Sequence, residues 1–289
     1  MTASAQQTAA QRTAEERKVA LARRDELLDF VGKYGGEIEK LAPKGMTADY
    51  HVASLRLYFV EHPQLLECKP ISIATGILRV AQTGLTLGVS CDLLPFGQVC
   101  QFSPRYNGIV ELALNAGTRA INLGVVREGD HFGFDKGTSL FLSHRPIAKS
   151  DAEITYGYSL AEIKQGAFAL EVMTREQIDA HRRRYSKSWW KDKKGNLIPL
   201  EEVPWYAKKT PLRQMSPVLP KNARFAAALM YAQEAEEVEE DIPEASFEVE
   251  GREAPAEERR AMPRPIEGEE VQQEFSDERE LDDFPGRGR

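Results

Sequence analysis

The sequence is poor in groups that staple a fold or carry out catalysis. Three of its 289 residues are cysteine, Cys68, Cys91 and Cys100. They show no paired metal spacing, so a reduced intracellular chain whose core closes without disulfides is expected. The five histidines, His51, His62, His131, His144 and His181, form no HExxH arrangement, and no thiolate cluster accompanies them. A P-loop of the GxxxxGKS/T type is missing, as are GxSxG and a convincing general-acid pair, so hydrolytic activity is disfavoured. Asp130 and Asp135 stand near His131 and His144, but two carboxylates beside two imidazoles arise readily by chance, and loop or packing roles are expected there. No apolar run approaches 18 residues and no charged-then-apolar leader is present, so neither secretion nor membrane insertion is suggested and a cytoplasmic location is expected.

What is present is a strong division of charge. The formal net charge of −7 hides a tail, residues 231–289, with 21 acidic and 7 basic side chains, a net of −14. The remaining 230 residues carry 31 basic and 24 acidic side chains, a net of +7. Contact with a partner responds to local potential rather than to the whole-chain sum, so a polyanion suits the body of the protein.

Three segments follow from composition. Residues 1–14, rich in Ala, Gln, Thr and Ser, read as disordered; 15–235 form the core; and 236–289, rich in Glu, Pro, Arg and Gly, form an acidic tail with too few large apolar groups to offset the entropy of folding. Within the core, amphipathic helix is expected over Ala14–Lys40 with a break near Gly35-Gly36, then over Tyr50–Val60, ended by His62-Pro63. Ser72 is placed to cap a further helix that closes at Gly84, and Asn107–Ala116 reads as helical.

Short apolar or alternating runs at Leu93–Phe96, Val99–Phe102, Gly124–Val126, Ser139–Leu142, Ile154–Ile163 and Ala167–Met173 read as strands, the last two a hairpin around Lys164-Gln165-Gly166. Thr174 and Gln177 suit a capping box for a helix through Tyr185. A polar loop, Ser186–Pro204, precedes helices over Trp205–Met215, broken near Pro211 or Pro217, and over Asn222–Ala235. Grouped strands and helices favour an α+β class.

The most informative charge feature is residues 175–224, with thirteen basic against five acidic side chains. Tyr185, Trp189, Trp190, Trp205 and Tyr206 are interleaved among them. A protein that binds arbitrary single strands needs cations for the phosphates and flat apolar faces on which any base can stack, each stacked base contributing about 1–3 kcal/mol. The plainer alternative stays open: a solvated basic face with aromatics that complete the core.

The ordered set of motifs resembles the RecT family of phage and prophage recombinases. The resemblance is carried by Gly84-Leu85-Thr86-Leu87, Leu94-Pro95-Phe96, Gln101-Phe102, Tyr106-Asn107-Gly108-Ile109-Val110-Glu111-Leu112-Ala113 and Glu128-Gly129-Asp130-His131-Phe132. It continues through Ser143-His144-Arg145-Pro146, Tyr156-Gly157-Tyr158, Met173-Thr174-Arg175-Glu176-Gln177-Ile178, Pro204-Trp205, Lys208-Lys209-Thr210-Pro211-Leu212-Arg213 and Leu219-Pro220. Each motif is weak alone, but their joint order from about residue 50 to 224 is much more specific.

The resemblance implies an α+β core with a curved antiparallel sheet and packed helices. It implies a protein that is not an enzyme, binds single-stranded DNA and anneals complementary strands in homologous recombination without ATP. Self-association into a ring, arc or helical filament is also implied, as are a 5'-3' exonuclease partner and cooperation with the single-stranded DNA-binding protein of a bacterial host. The DNA-contact candidates it points to are Arg182, Arg183, Lys187, Lys208, Lys209, Thr210 and Arg213, with Tyr106 and Trp205 for base support or packing. No cofactor is required, and a dependence of the DNA complex on Mg²⁺ is left open. The alternative is a non-annealing nucleic-acid-binding or phage assembly scaffold protein.

Overall fold

The computed structural model describes residues 2–138, 140–163, 166–185 and 195–241. The chain divides into two units, 1–248 and 249–289, and every described residue lies in the first. The expected α+β class is what is found: helices packed with antiparallel sheets.

The first lobe is helical. α1 (Thr2–Gly32) ends in a turn, α2 (Gly35–Leu41) follows, and α3 (Ala48–Glu61) begins where Thr47 accepts a hydrogen bond from the Tyr50 amide at 3.2 Å. The break near Gly35-Gly36 is therefore where periodicity put it. α1 also extends through the stretch read as disordered from composition; Ala and Gln are good helix formers, so low hydrophobicity there does not oppose helix. Among the described side chains of α1, Leu27, Leu28 and Val31 are buried, and these meet Ile38, Leu55, Phe59, Ile73, Ile77 and Val80 in the main core.

α4 (Pro70–Thr83) starts two residues before the expected cap. Pro70 occupies the first turn, where its missing N–H costs nothing, and Ser72 instead donates to the Lys69 carbonyl at 2.8 Å and accepts from the Cys100 amide at 3.0 Å. Ser72 thus ties α4 to the hairpin of β1 (Cys91–Phe96) and β2 (Val99–Pro104). At the other end Gly84 takes φ +72°, the left-handed conformation that suits a helix stop. α5 (Tyr106–Asn115) and α8 (Ala223–Asp241) close this lobe; Asn222 caps α8 by accepting from the Phe225 amide at 2.9 Å.

The second lobe is built on β3 (Ala120–Arg127), β6 (Ile154–Glu162) and β7 (Phe168–Thr174), antiparallel in the order β3-β6-β7. A separate hairpin, β4 (His131–Asp135) with β5 (Phe141–Arg145), lies against it. Among the described residues the sheet is therefore divided into three short antiparallel pieces, where the sequence led us to expect a single curved one. β4 was not anticipated, because the run His131-Phe132-Gly133-Phe134-Asp135 is bounded and interrupted by residues that read as turn.

β6 shows why the sheet sits where it does. Side chains alternate across a strand, so Tyr156, Tyr158 and Leu160 face the β4–β5 hairpin, while Gly157, Ser159 and Ala161 face the opposite way. On that opposite side lies α7 (Trp205–Met215), which packs on β3, β6 and β7. Pro211 does not break α7. It removes the amide that would bond the Ala207 carbonyl, and a Cβ on Gly157 would lie only 2.0 Å from that same oxygen. The helix and the strand approach backbone to backbone because one lacks an N–H and the other lacks a side chain.

Candidate nucleic-acid interface

α6 (Arg175–Tyr185) leaves the end of β7 through the expected capping box. The Gln177 side chain accepts from the Thr174 amide at 2.9 Å, and the Thr174 hydroxyl accepts from the Gln177 amide at 3.3 Å. The last turn carries Arg182, Arg183 and Arg184, which complement the negative end of the helix dipole. Arg175, at the other end, is a clamp. It donates to both oxygens of Glu201 and to the Ile154 carbonyl, while Glu201 accepts from the Ile154 amide. The Arg175 hydrogen bonds, with the Ile154 amide adding to them, hold the Glu201 carboxyl at about 2 although partial burial opposes its ionisation. The strand, the helix and the 195–204 loop are joined at this point.

Two of the residues predicted to touch DNA lie inside the protein. Arg182 is 1% exposed and donates to Asp179 at 2.9 Å and to the Ile198 carbonyl at 2.7 Å, with its guanidinium 5.3 Å from the Tyr206 ring. Thr210 is also 1% exposed, and its hydroxyl donates to the Tyr206 carbonyl at 2.9 Å. Both support the surface from beneath.

The other predicted residues divide as follows. Arg183 is exposed at the end of α6, and Lys208, Lys209 and Arg213 are half-buried along α7. Lys209 holds its ammonium 5.7 Å from the Trp205 ring and 5.6 Å from that of Tyr206, and these two rings are 4.5 Å apart. Trp205 is half-buried beside those cations. Tyr106 starts α5 and packs against the main core of the helical lobe. Lys187 falls outside the described residues.

His181 was not singled out as a contact from the sequence. Its ring lies 4.6 Å from that of Tyr185, and its buried Nδ1 has no hydrogen-bond partner. Burial, and then the charges of Arg213, Lys209 and Arg184, push its pKa down to about 4. α6 packs on α7 here, so charges from both helices act on this imidazole. The signal was present in the numbering: 181, 184 and 185 share a helix face, as do 205, 209 and 213. Which two faces would meet could not be read from spacing.

This corner holds cations and aromatic faces. Such a surface can bind phosphate and stack bases.

Asp130 and His144, weighed for a metal, have other partners. Asp130 accepts from the amides of Ile147, Ala148 and Arg127 at 2.8 Å each and meets His144 at 3.2 Å; His144 in turn shares a hydrogen bond with the Tyr158 hydroxyl. Burial works against its ionisation, yet these donors hold its carboxyl well below the usual range. The motifs that contain Asp130, His144 and Tyr158 thus form one latch between the hairpin and the sheet. Among the described residues no cluster of three or more His, Cys, Asp or Glu is placed to hold a metal ion, and no helix is long and apolar enough to cross a membrane.

The chain is 32% identical over 238 residues to Protein RecT of Escherichia coli K12, a match that covers 76% of this chain and 84% of that protein. It is 25% identical over 154 residues to the uncharacterized protein YqaK of Bacillus subtilis 168, covering 51% of this chain and 54% of that protein. The model of the RecT family matches residues 54–246, a span that begins within α3 and takes in the whole second lobe with α6 and α7, and the chain belongs to that family.

Proposed function

We propose that this protein binds single-stranded DNA and joins complementary strands during homologous recombination, without nucleotide hydrolysis. The observation that carries the reading is the α6–α7 corner, where Lys209 lies over the Trp205 and Tyr206 rings and the basic end of α6 packs beside α7, in a chain of the RecT family. Phosphates meet the cations, and bases stack on the rings without readout of their edges, which leaves recognition tolerant of sequence. Base edges then stay available to a complementary strand.

Within this reading the direct contacts are Arg183, Lys208, Lys209 and Arg213, joined by Lys187. Arg182 and Thr210 hold the surface in place. Copies of the chain assemble side by side in a ring, arc or filament, so that short basic surfaces follow one another along the strand. A 5'-3' exonuclease supplies the single strand in the bacterial cytoplasm, and the host single-stranded DNA-binding protein cooperates.

The test is annealing of two complementary oligonucleotides followed by fluorescence quenching, without ATP, with and without Mg²⁺, and with gels to detect cleavage. Acceleration over the spontaneous rate with intact strands is expected. Binding without acceleration would replace this reading with a scaffold protein, and shortened products would replace it with a nuclease.

A further inference from the structure

Helix α3 is apolar on two sides, and the fold covers one of them. His51, Leu55, Tyr58 and Phe59 are buried in the helical lobe. On the other side Tyr50, Ala53, Leu57 and Val60 recur at the spacing of one continuous helix face. That stripe is exposed: Leu57 is 70%, Val60 69% and Tyr50 38% accessible, and Ala53 lies open between them. Single apolar side chains on a surface need no explanation, whereas a row of them along one helix marks a place where a partner sits.

The stripe also has relief and charge. Asp49, Val52, Ala53, Arg56 and Leu57 line an open groove of about 470 Å³. The first four of these stand at i, i+3, i+4 and i+7, the set that makes a hole for a side chain of a second helix in knobs-into-holes packing. Leu57 stands beside the hole as an uncovered knob. Asp49 and Arg56 flank it, both exposed and about two turns apart. Among the described residues neither takes part in an ion pair.

These features complement one another when a second α3 lies antiparallel. A two-fold axis near Ala53 carries Leu57 of each copy toward the hole of the other and Arg56 of each toward the other's Asp49, with a small side chain at the crossing. A parallel arrangement would set Asp49 against Asp49 and Arg56 against Arg56. We infer that the outer face of α3 is a docking surface for α3 of a second copy of this chain, joined antiparallel across a two-fold axis. The same surface serves both partners, so the contact closes at two copies. It differs from the side-by-side contact proposed above, which must join unlike surfaces to continue into a ring, arc or filament, and it does not depend on the DNA-binding reading.

The experiment is cross-linking of the full chain carrying Ala53→Cys with a short bis-maleimide; the native cysteines are buried and out of reach of the reagent. A residue at a two-fold axis meets its own copy, so Ala53→Cys should give a covalent dimer, and Glu37→Cys, exposed on α2, should give far less at the same concentration. Adding Leu57→Ser removes both knobs and should raise the concentration needed for half-maximal cross-linking by about tenfold or more. Adding Arg56→Asp should also weaken the contact, and Asp49→Arg combined with it should restore the contact, because the exchanged charges again face their opposites. The substituted positions are exposed, so circular dichroism should show the fold unchanged in each variant.

No dimer from Ala53→Cys, a yield matched by Glu37→Cys, or a yield indifferent to Leu57→Ser overturns the proposal. Failure of Asp49→Arg to restore Arg56→Asp overturns the antiparallel arrangement. Annealing of oligonucleotides is a separate measurement, so loss of this contact leaves the DNA-binding reading standing.

Discussion

The two faces of strand β6 are built on opposite rules. Toward the hairpin it presents Tyr156, Tyr158 and Leu160, and Phe132 stacks on Tyr158 with ring centroids 5.9 Å apart. Toward α7 it presents Gly157, Ser159 and Ala161, so that the helix backbone itself rests on the strand. The hairpin face is held by aromatic area, which is large and adaptable. The helix face is held by close approach, which is intolerant of added atoms. The basic side chains ride on the second face, so positional accuracy is concentrated where phosphate would be met.

That contrast can be broken from either side. Tyr158→Ala removes a nearly fully buried ring that lies over Gly124 and also removes the partner of His144. A loss of about 3–5 kcal/mol in urea unfolding is expected, with DNA affinity of the folded fraction almost unchanged. Gly157→Ala adds one carbon against the Ala207 carbonyl, where backbone rather than a side-chain tip must give way. A loss of about 2–3 kcal/mol is expected, and here affinity should fall as well, because α7 has moved. Equal effects of the two variants on affinity would remove the distinction between the faces.

A third perturbation acts on the clamp beside both. Glu201 is held at about 2 by Arg175, below its ordinary value of about 4.3. A carboxylate lowered in the folded state stabilises fully above its unfolded value, and that contribution disappears as pH falls from about 4.5 to 2. About 2 kcal/mol should be lost over that window in acid titrations of stability, and Glu201→Gln should begin lower and show a flatter curve. The smallest effect is expected on the outer surface. Lys209→Gln and Arg183→Gln should each weaken oligo(dT) binding several-fold and flatten its salt dependence by about 0.7 in logarithmic slope, with little change in stability; an unaltered slope would place that residue away from phosphate.

Much of this architecture could be read from the chain. The Thr174–Gln177 capping box, the stop at Gly84 and the turn before Gly35 are local features, decided by a few neighbouring residues. The alternation in β6 was also legible. What the sequence withheld depends on encounters between distant segments. Nothing near Arg182 states that it lies inward while Arg183 lies outward, since that depends on Tyr206 and Ile198 meeting α6. Pro211 read as a break because its strand partner, Gly157, stands more than fifty positions earlier. Asp130 could be given only a general loop or packing role, because the amides of Ile147 and Ala148, which occupy it, are invisible in a pattern of side chains.

Pro211 has a further effect, on how α7 comes apart. With no amide at that position, the ladder of hydrogen bonds along Trp205–Met215 is interrupted between its first and last turns. Amide exchange should therefore report two protected segments instead of one, and the turn that carries Lys208 and Lys209 can loosen while the turn that carries Arg213 stays closed. A single helix would then meet a moving strand with one yielding grip and one fixed grip.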